Sequence, residues 1–242
     1  MGALRDNAAT SQVGPFPVWP RADVLAMIPR GVFSVLDVGC SAGLLGEALK
    51  EREPTCRVLG IEKEPVLAEE ARRRLDEVLP EDVERIEWGA VARRGPFDCI
   101  VFADVLEHLH DPWQVLTDAV SALAPDGSIV LSIPNIRHVS TLYWAFVRGR
   151  WPYRDMGIHD RTHIRFFALA NVRDLCRTAG LAVEAVKRNY QVSRLGEYRA
   201  VRGLLCDRIL DLLPVVRELF TKQYIVRACR DSGARFGRDK GV

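Results

Sequence analysis

From about residue 33 to residue 134, apolar runs of strand length alternate with stretches whose apolar positions recur at helical spacing. "FSVLDVG" is followed by a helical pattern from about 43, and "RVLGIE" by one over 65–79. "FDCIVFAD" precedes a third over 112–123, and "GSIVLSIP" closes the series. Leu67, Ala71, Leu75 and Val78 share one face of the second predicted helix, while "EEARRR" faces away. Val115, Leu116, Ala119, Val120 and Leu123 form the face of the third. Repeated strand and helix units predict an α/β, Rossmann-like, mostly parallel sheet with right-handed crossovers and helices on both faces.

Outside that region the rhythm changes. Residues 1–30 read as an arm with Pro15, Pro17 and Pro20, leading into a short helix near 21–28. The domain proper is expected over 31–242, with an insertion rich in aromatics and arginine over about 136–167. A helix over 169–179, stopped by Gly180, feeds the strand "LAVEAVKR". A helical insertion over about 196–220, containing "LLCDRILDLL" and ended by Pro214, precedes a last strand, "QYIVRAC".

Composition narrows the classes. With 48% apolar and 27% charged residues and a formal charge of +2 over 242 residues, the chain reads as globular and not as a polybasic nucleic-acid binder. Its six cysteines lie scattered without a CxxC pair, as expected of reduced core residues in a cytoplasmic protein. The start lacks an apolar signal segment, and no run reaches the roughly 18 apolar residues of a transmembrane span.

The chemistry starts at "VLDVGCSAG", where Asp37 ends a strand, Gly39 permits a sharp turn and Gly43 opens a helix. The spacing is D-x-G-x-x-x-G, and Ser41 stands where a dinucleotide fingerprint would place its second glycine. "VLGIE" then ends in Glu62, placed to accept hydrogen bonds from ribose hydroxyls. On these residues, and on "FDCIVFADVLEHLHDP" and "LAPDGSIVLSIPN", the chain resembles the class I S-adenosylmethionine-dependent methyltransferases. "EHLHDP" and "GIHDRTHIRFF" are similar to the bacterial subgroup that includes ubiquinone-pathway and polysaccharide or glycolipid O-methyltransferases.

The resemblance implies a seven-stranded sheet with a last antiparallel strand, and S-adenosyl-L-methionine held by Asp37, Gly39, Cys40, Ser41, Gly43, Glu62, Lys63, Ala103, Asp104 and Val105. One departure is expected: Ala90 or Val91 falls where many relatives carry an acid that touches adenine, so Trp88 and Val91 become the adenine contacts.

Methyl transfer from a sulfonium needs in-line positioning and, for a hydroxyl of high pKa, a base. His108, His138, His159 and His163 are the candidates, with His163 or His138 favoured and His110 left at the surface. Asp155, His159, Asp160 and His163 offer mixed ligands for a divalent metal such as magnesium, against the alternative of a hydrogen-bonded loop. Tyr143, Trp144, Arg148, Trp151, Tyr153 and Arg154 combine aromatic faces with cations, suited either to a sugar bearing an anionic group or to helix packing on the core.

The expected activity is O-methylation of a carbohydrate or carbohydrate-containing precursor in polysaccharide or glycolipid biosynthesis, with a small-molecule or oligosaccharide acceptor and room for a homodimer. A phenolic or quinone-type acceptor is the alternative, and a non-catalytic nucleoside-binding protein the rival.

Overall fold

The computed structural model describes residues 11–13, 16–18, 20–190 and 214–231. Strands β1 (Ser11–Val13) and β2 (Phe16–Val18) pair as an antiparallel hairpin ahead of α1 (Ala22–Leu25), so part of the expected arm is ordered structure. The main sheet comprises β3 (Ser34–Val38), β4 (Arg57–Ile61), β5 (Glu77–Leu79), β6 (Phe97–Ala103), β7 (Leu123–Pro134), β8 (Leu181–Tyr190) and β9 (Thr221–Arg230). Its order is β5-β4-β3-β6-β7-β9-β8; the five strands from β5 to β7 run parallel, and β9 lies antiparallel between β7 and β8. This is the expected Rossmann-like fold.

The connecting helices are α2 (Leu44–Arg52), α3 (Pro65–Ala71), α4 (Trp88–Ala92), α5 (Pro112–Val120), α6 (Val139–Leu142), α7 (Leu169–Thr178) and α8 (Pro214–Phe220). Their ends follow local chemistry. Asp111 caps α5 by accepting from the Gln114 N–H at 3.0 Å, with Pro112 in the first turn where no N–H is required. Gly180, at φ +71°, ends α7. The helix expected over "LLCDRILDLL" lies outside the described residues, as does Cys206; α8 occupies the end of the insertion expected there.

Alternation along β3 sends Leu36 and Val38 to one face and Val35 to the other. The first face packs against α4, α5 and α7, the second against α1, α2 and α3. Cys40, Cys56, Cys99 and Cys176 are buried thiols in these layers.

Two helices end short of expectation. The one expected over 112–123 stops at Val120, and Leu123 opens β7. The helix expected over 65–79 ends at Ala71, and Glu77–Leu79 forms β5, an edge strand parallel to β4. Leu75 and Val78 are buried as a helical face would require, so spacing alone did not separate the alternatives. The strand is fixed by pairing: Asp76 accepts from the Val58 N–H through its carboxylate at 2.8 Å and gives its own N–H to the Val58 carbonyl at 3.1 Å.

Candidate active site

The strand order reverses between β3 and β6, and an open parallel sheet parts there to leave a crevice at the carboxyl ends of its strands. A cleft of about 200 Å³ occupies that position, lined from one side by Asp37, Gly39, Cys40 and Ser41 and from the other by Ala103 and Asp104. Gly39 (φ +69°) and Gly43 (φ +79°) make the turn, and a side chain on Gly39 would meet the Val105 methyl at 2.5 Å.

The cleft is acidic. Asp37 is 2% exposed and its Oδ2 has no hydrogen-bond partner. Burial, reinforced by the nearby Glu62, pushes its carboxyl up to about 7. Glu62 accepts from the Ser41 N–H at 2.9 Å and the Glu64 N–H at 2.8 Å, tying the glycine turn to the tip of β4. Each of its oxygens retains a lone pair for a ligand hydroxyl. Burial raises Glu62 as well, against those two hydrogen bonds.

Asp104, in the left-handed region at φ +59°, accepts from the guanidinium of Arg21 and the amide of Gln223. Arg21 also donates to Ser132 at 2.7 Å and pairs with Asp23 at 3.0 Å. It lines the cleft, yet no periodic or motif signal marks it in the sequence.

Not every expected cofactor residue reaches this cleft. Lys63 is exposed and Val105 serves as the packing partner of Gly39. Val91 is wholly buried in the core beside Trp88, whose indole N–H is buried without a partner, so both belong to the core layer. The third parallel strand ends at Leu79, whose carbonyl takes the Glu62 N–H at 3.0 Å, and Glu81 and Asp82 follow at that tip.

The histidines divide sharply. His138 caps α6, its Nδ1 accepting from the Ser140 N–H at 3.2 Å, and burial depresses it to about 4. His159 is buried against Thr141 at 3.1 Å and edge-on to Trp151, and burial likewise holds it at about 4. Both rings are engaged in buried contacts, His138 as one of the two favoured base candidates and His159 as a further one. His110 is at the surface, paired with Glu84 at 3.1 Å.

His108 and His163 instead meet edge to face, with ring centres 4.7 Å apart, beside Glu107. Glu107 is 1% exposed, and neither of its carboxyl oxygens has a hydrogen-bond partner. Burial, then the charge of Asp104, raises it well above the usual carboxylate range. The Glu107 carbonyl accepts from the N–H groups of Ile164 and Arg165, both at 3.0 Å, which hangs the "DRTHIR" segment on the loop after β6.

The four residues expected to bind a metal do not converge. Asp155 is exposed and paired with Arg161, and Asp160 accepts from Thr162. Glu107, His108 and His163 place one donor atom each within 4.8 Å of one another, the set among the described residues that could hold a cation. Two imidazoles and one carboxylate suit a transition metal better than magnesium, which prefers oxygen ligands.

Residues 143–154 carry an aromatic shelf. Arg148, Arg150 and Arg154 stand 5.8, 4.9 and 5.9 Å from the centre of the Trp144 ring, which also meets Tyr143 edge-on. Trp151 bridges His159 and Phe166, and Tyr153 is exposed. Of residues 139–147, Thr141 alone is buried, so this short helix and the π-helical turn after it do not pack their aromatics on the core.

A family model described as "Methyltransferase domain" matches residues 14–186. A ubiquinone biosynthesis O-methyltransferase of Psychrobacter arcticus is 32% identical over 151 residues, covering 60% of this chain and 58% of that one. A trans-aconitate 2-methyltransferase of Methylobacterium nodulans is 31% identical over 136 residues, 55% of this chain and 52% of that one. The chain spans between 30% and 65% of the length of the first curated relatives it matches. Among solved structures, a SAM-dependent methyltransferase from Archaeoglobus fulgidus has the same fold, with TM-score 0.59 and 17% identity over 86% of this chain and 90% of that one.

Proposed function

This chain belongs to the methyltransferase-domain family, and from that membership we propose that it transfers a methyl group from S-adenosylmethionine to a hydroxyl oxygen of a hydroxylated aromatic, quinol-type acceptor. One observation carries the cofactor: a buried, unpartnered carboxylate, Asp37, beneath a glycine turn that Glu62 ties down. Asp37 and Asp104 line a cleft, with Glu62 bonded to the turn beside it, that repels a pyrophosphate and attracts a cation. S-adenosylmethionine offers an ammonium and a sulfonium, and its carboxylate suits Arg21. Glu62 then receives the ribose hydroxyls, and Glu81 or Asp82 the adenine amino group.

The reaction needs no covalent intermediate. A lone pair on the acceptor oxygen attacks the methyl carbon, the carbon–sulfur bond breaks, and its electron pair neutralises the sulfur. The hydroxyl proton goes to His108, whose partly exposed ring stands in front of His163 and Glu107. Alignment of the two reactants corresponds to effective molarities of about 10⁵ M or more, and the base contributes about 10²- to 10⁴-fold. A divalent cation on Glu107, His108 and His163 would lower the hydroxyl pKa instead, a reading supported by the orphaned Glu107 carboxyl. Activity that survives chelation would exclude it.

The aromatic acceptor is supported by the O-methyltransferase relative of ubiquinone biosynthesis and by the Trp144 shelf, whose three arginines would receive an acidic substituent. The trans-aconitate relative also acts on an acid. A saccharide acceptor draws no support from these relatives. Turnover should therefore be found with catechols carrying an acidic group; methylation of glycosides and of no catechol would reverse the assignment.

A further inference from the structure

The segment "HDRTH" brings two small polar residues onto a histidine more than fifty positions earlier, and their hydrogen bonds leave that imidazole one arrangement of its protons. Asp160 Oδ1 accepts from the Thr162 N–H at 2.8 Å and from the Thr162 hydroxyl at 2.7 Å. Two donors converging on one oxygen suit an ionised carboxylate. An ionised carboxylate only accepts, so the single proton of the Thr162 hydroxyl points at Asp160.

The other side of that hydroxyl faces His108. Thr162 Oγ1 lies 3.1 Å from His108 Nδ1, and the Thr162 carbonyl oxygen lies 3.3 Å from the same nitrogen. With its proton committed, Oγ1 can only accept, and a carbonyl can never donate. Nδ1 is thus surrounded by acceptors and must carry the proton, which leaves Nε2 with the lone pair. Free histidine in water favours the opposite tautomer. His138 shows that the fold does not impose one choice, because there Nδ1 accepts from a backbone N–H.

We propose that Thr162 and Asp160 are positioning residues that lock His108 in the Nδ1–H tautomer, so that Nε2 stands ready to receive the acceptor proton. Neither residue touches the reacting atoms; they act through His108. His163 is turned the same way, its Nδ1 3.3 Å from the Ile158 carbonyl, so both rings of the pair present bare Nε2 atoms. The kinetic consequence rests on the methyl-transfer reading, whereas the tautomer itself does not.

Two measurements on the full chain keep these apart. Nitrogen-15 correlation spectra at pH 8 should show His108 with a protonated Nδ1 in the native protein and in Thr162→Ser, and a mixture of tautomers in Thr162→Val. With the methyl acceptor in hand, Thr162→Val should lower kcat about 10-fold while Thr162→Ser stays within about twofold. Calorimetric affinity for S-adenosylhomocysteine should be equal in all three, which reports an intact fold. A native His108 protonated on Nε2, or a Thr162→Val protein with native tautomer and native kcat, would overturn the lock. A correct tautomer in a protein that turns over no acceptor would leave the lock standing and defeat the assigned reaction.

Discussion

At the scale of single residues, Asp37 defines the site. A carboxylate this deeply buried, with one oxygen unpartnered, is a liability to the empty protein and an asset once a cation arrives. The unfolded carboxyl titrates near about 3.9, the folded one at about 7. Between those values the folded form holds the extra proton, so stability falls as pH rises and the loss is complete above pH 7. Asp37→Asn removes this penalty. The variant should melt higher than the native protein by roughly 5 °C at pH 8 and no higher at pH 4, in scanning calorimetry of the empty forms. It should also bind S-adenosylmethionine at least about 10-fold more weakly, as loss of a charged hydrogen bond predicts. Equal melting at both pH values would show that Asp37 is not held protonated by burial.

At the scale of elements, the lesson lies in β5. The pattern of Leu67, Ala71, Leu75 and Val78 fits a helix, and all four are buried. What ends α3 is a long-range pairing of Asp76 with Val58, invisible to any window along the chain. On the proposed reading Glu81 or Asp82, just past the end of β5, takes the adenine amino group. Joint replacement of Glu81 and Asp82 with alanine should weaken S-adenosylhomocysteine binding about 10-fold, and Ala90→Asp should not tighten it; titration calorimetry on both variants decides.

The glycine turn, by contrast, was legible. Asp37, Gly39, Gly43 and Glu62 sit at strand ends and turn positions whose chemistry is local. Arg21 and the pairing of His108 with His163 were not, because each depends on segments far apart in sequence meeting at one end of the sheet. The sequence also does not show that His138 contacts Ser140 and His159 contacts Thr141, whereas His108 and His163 stand against each other.

At the scale of the whole molecule, the formal charge of +2 conceals an acidic cleft in a slightly basic chain. Arg21 lines one side of that cleft. Arg21 holds Asp104 and Ser132, and Asp23 receives the Asn189 amide at 2.7 Å, so the segment around α1 is fastened to the ends of β6, β7 and β8. Among the described residues no helix is long and apolar enough to cross a membrane. We propose that this sheet end holds an adenosyl amino acid and not a dinucleotide. The direct test is titration calorimetry of the full chain with S-adenosylhomocysteine and, separately, with NAD. Saturable binding of one S-adenosylhomocysteine per chain with no heat from NAD is the predicted result; NAD binding, or no heat from S-adenosylhomocysteine, would contradict it.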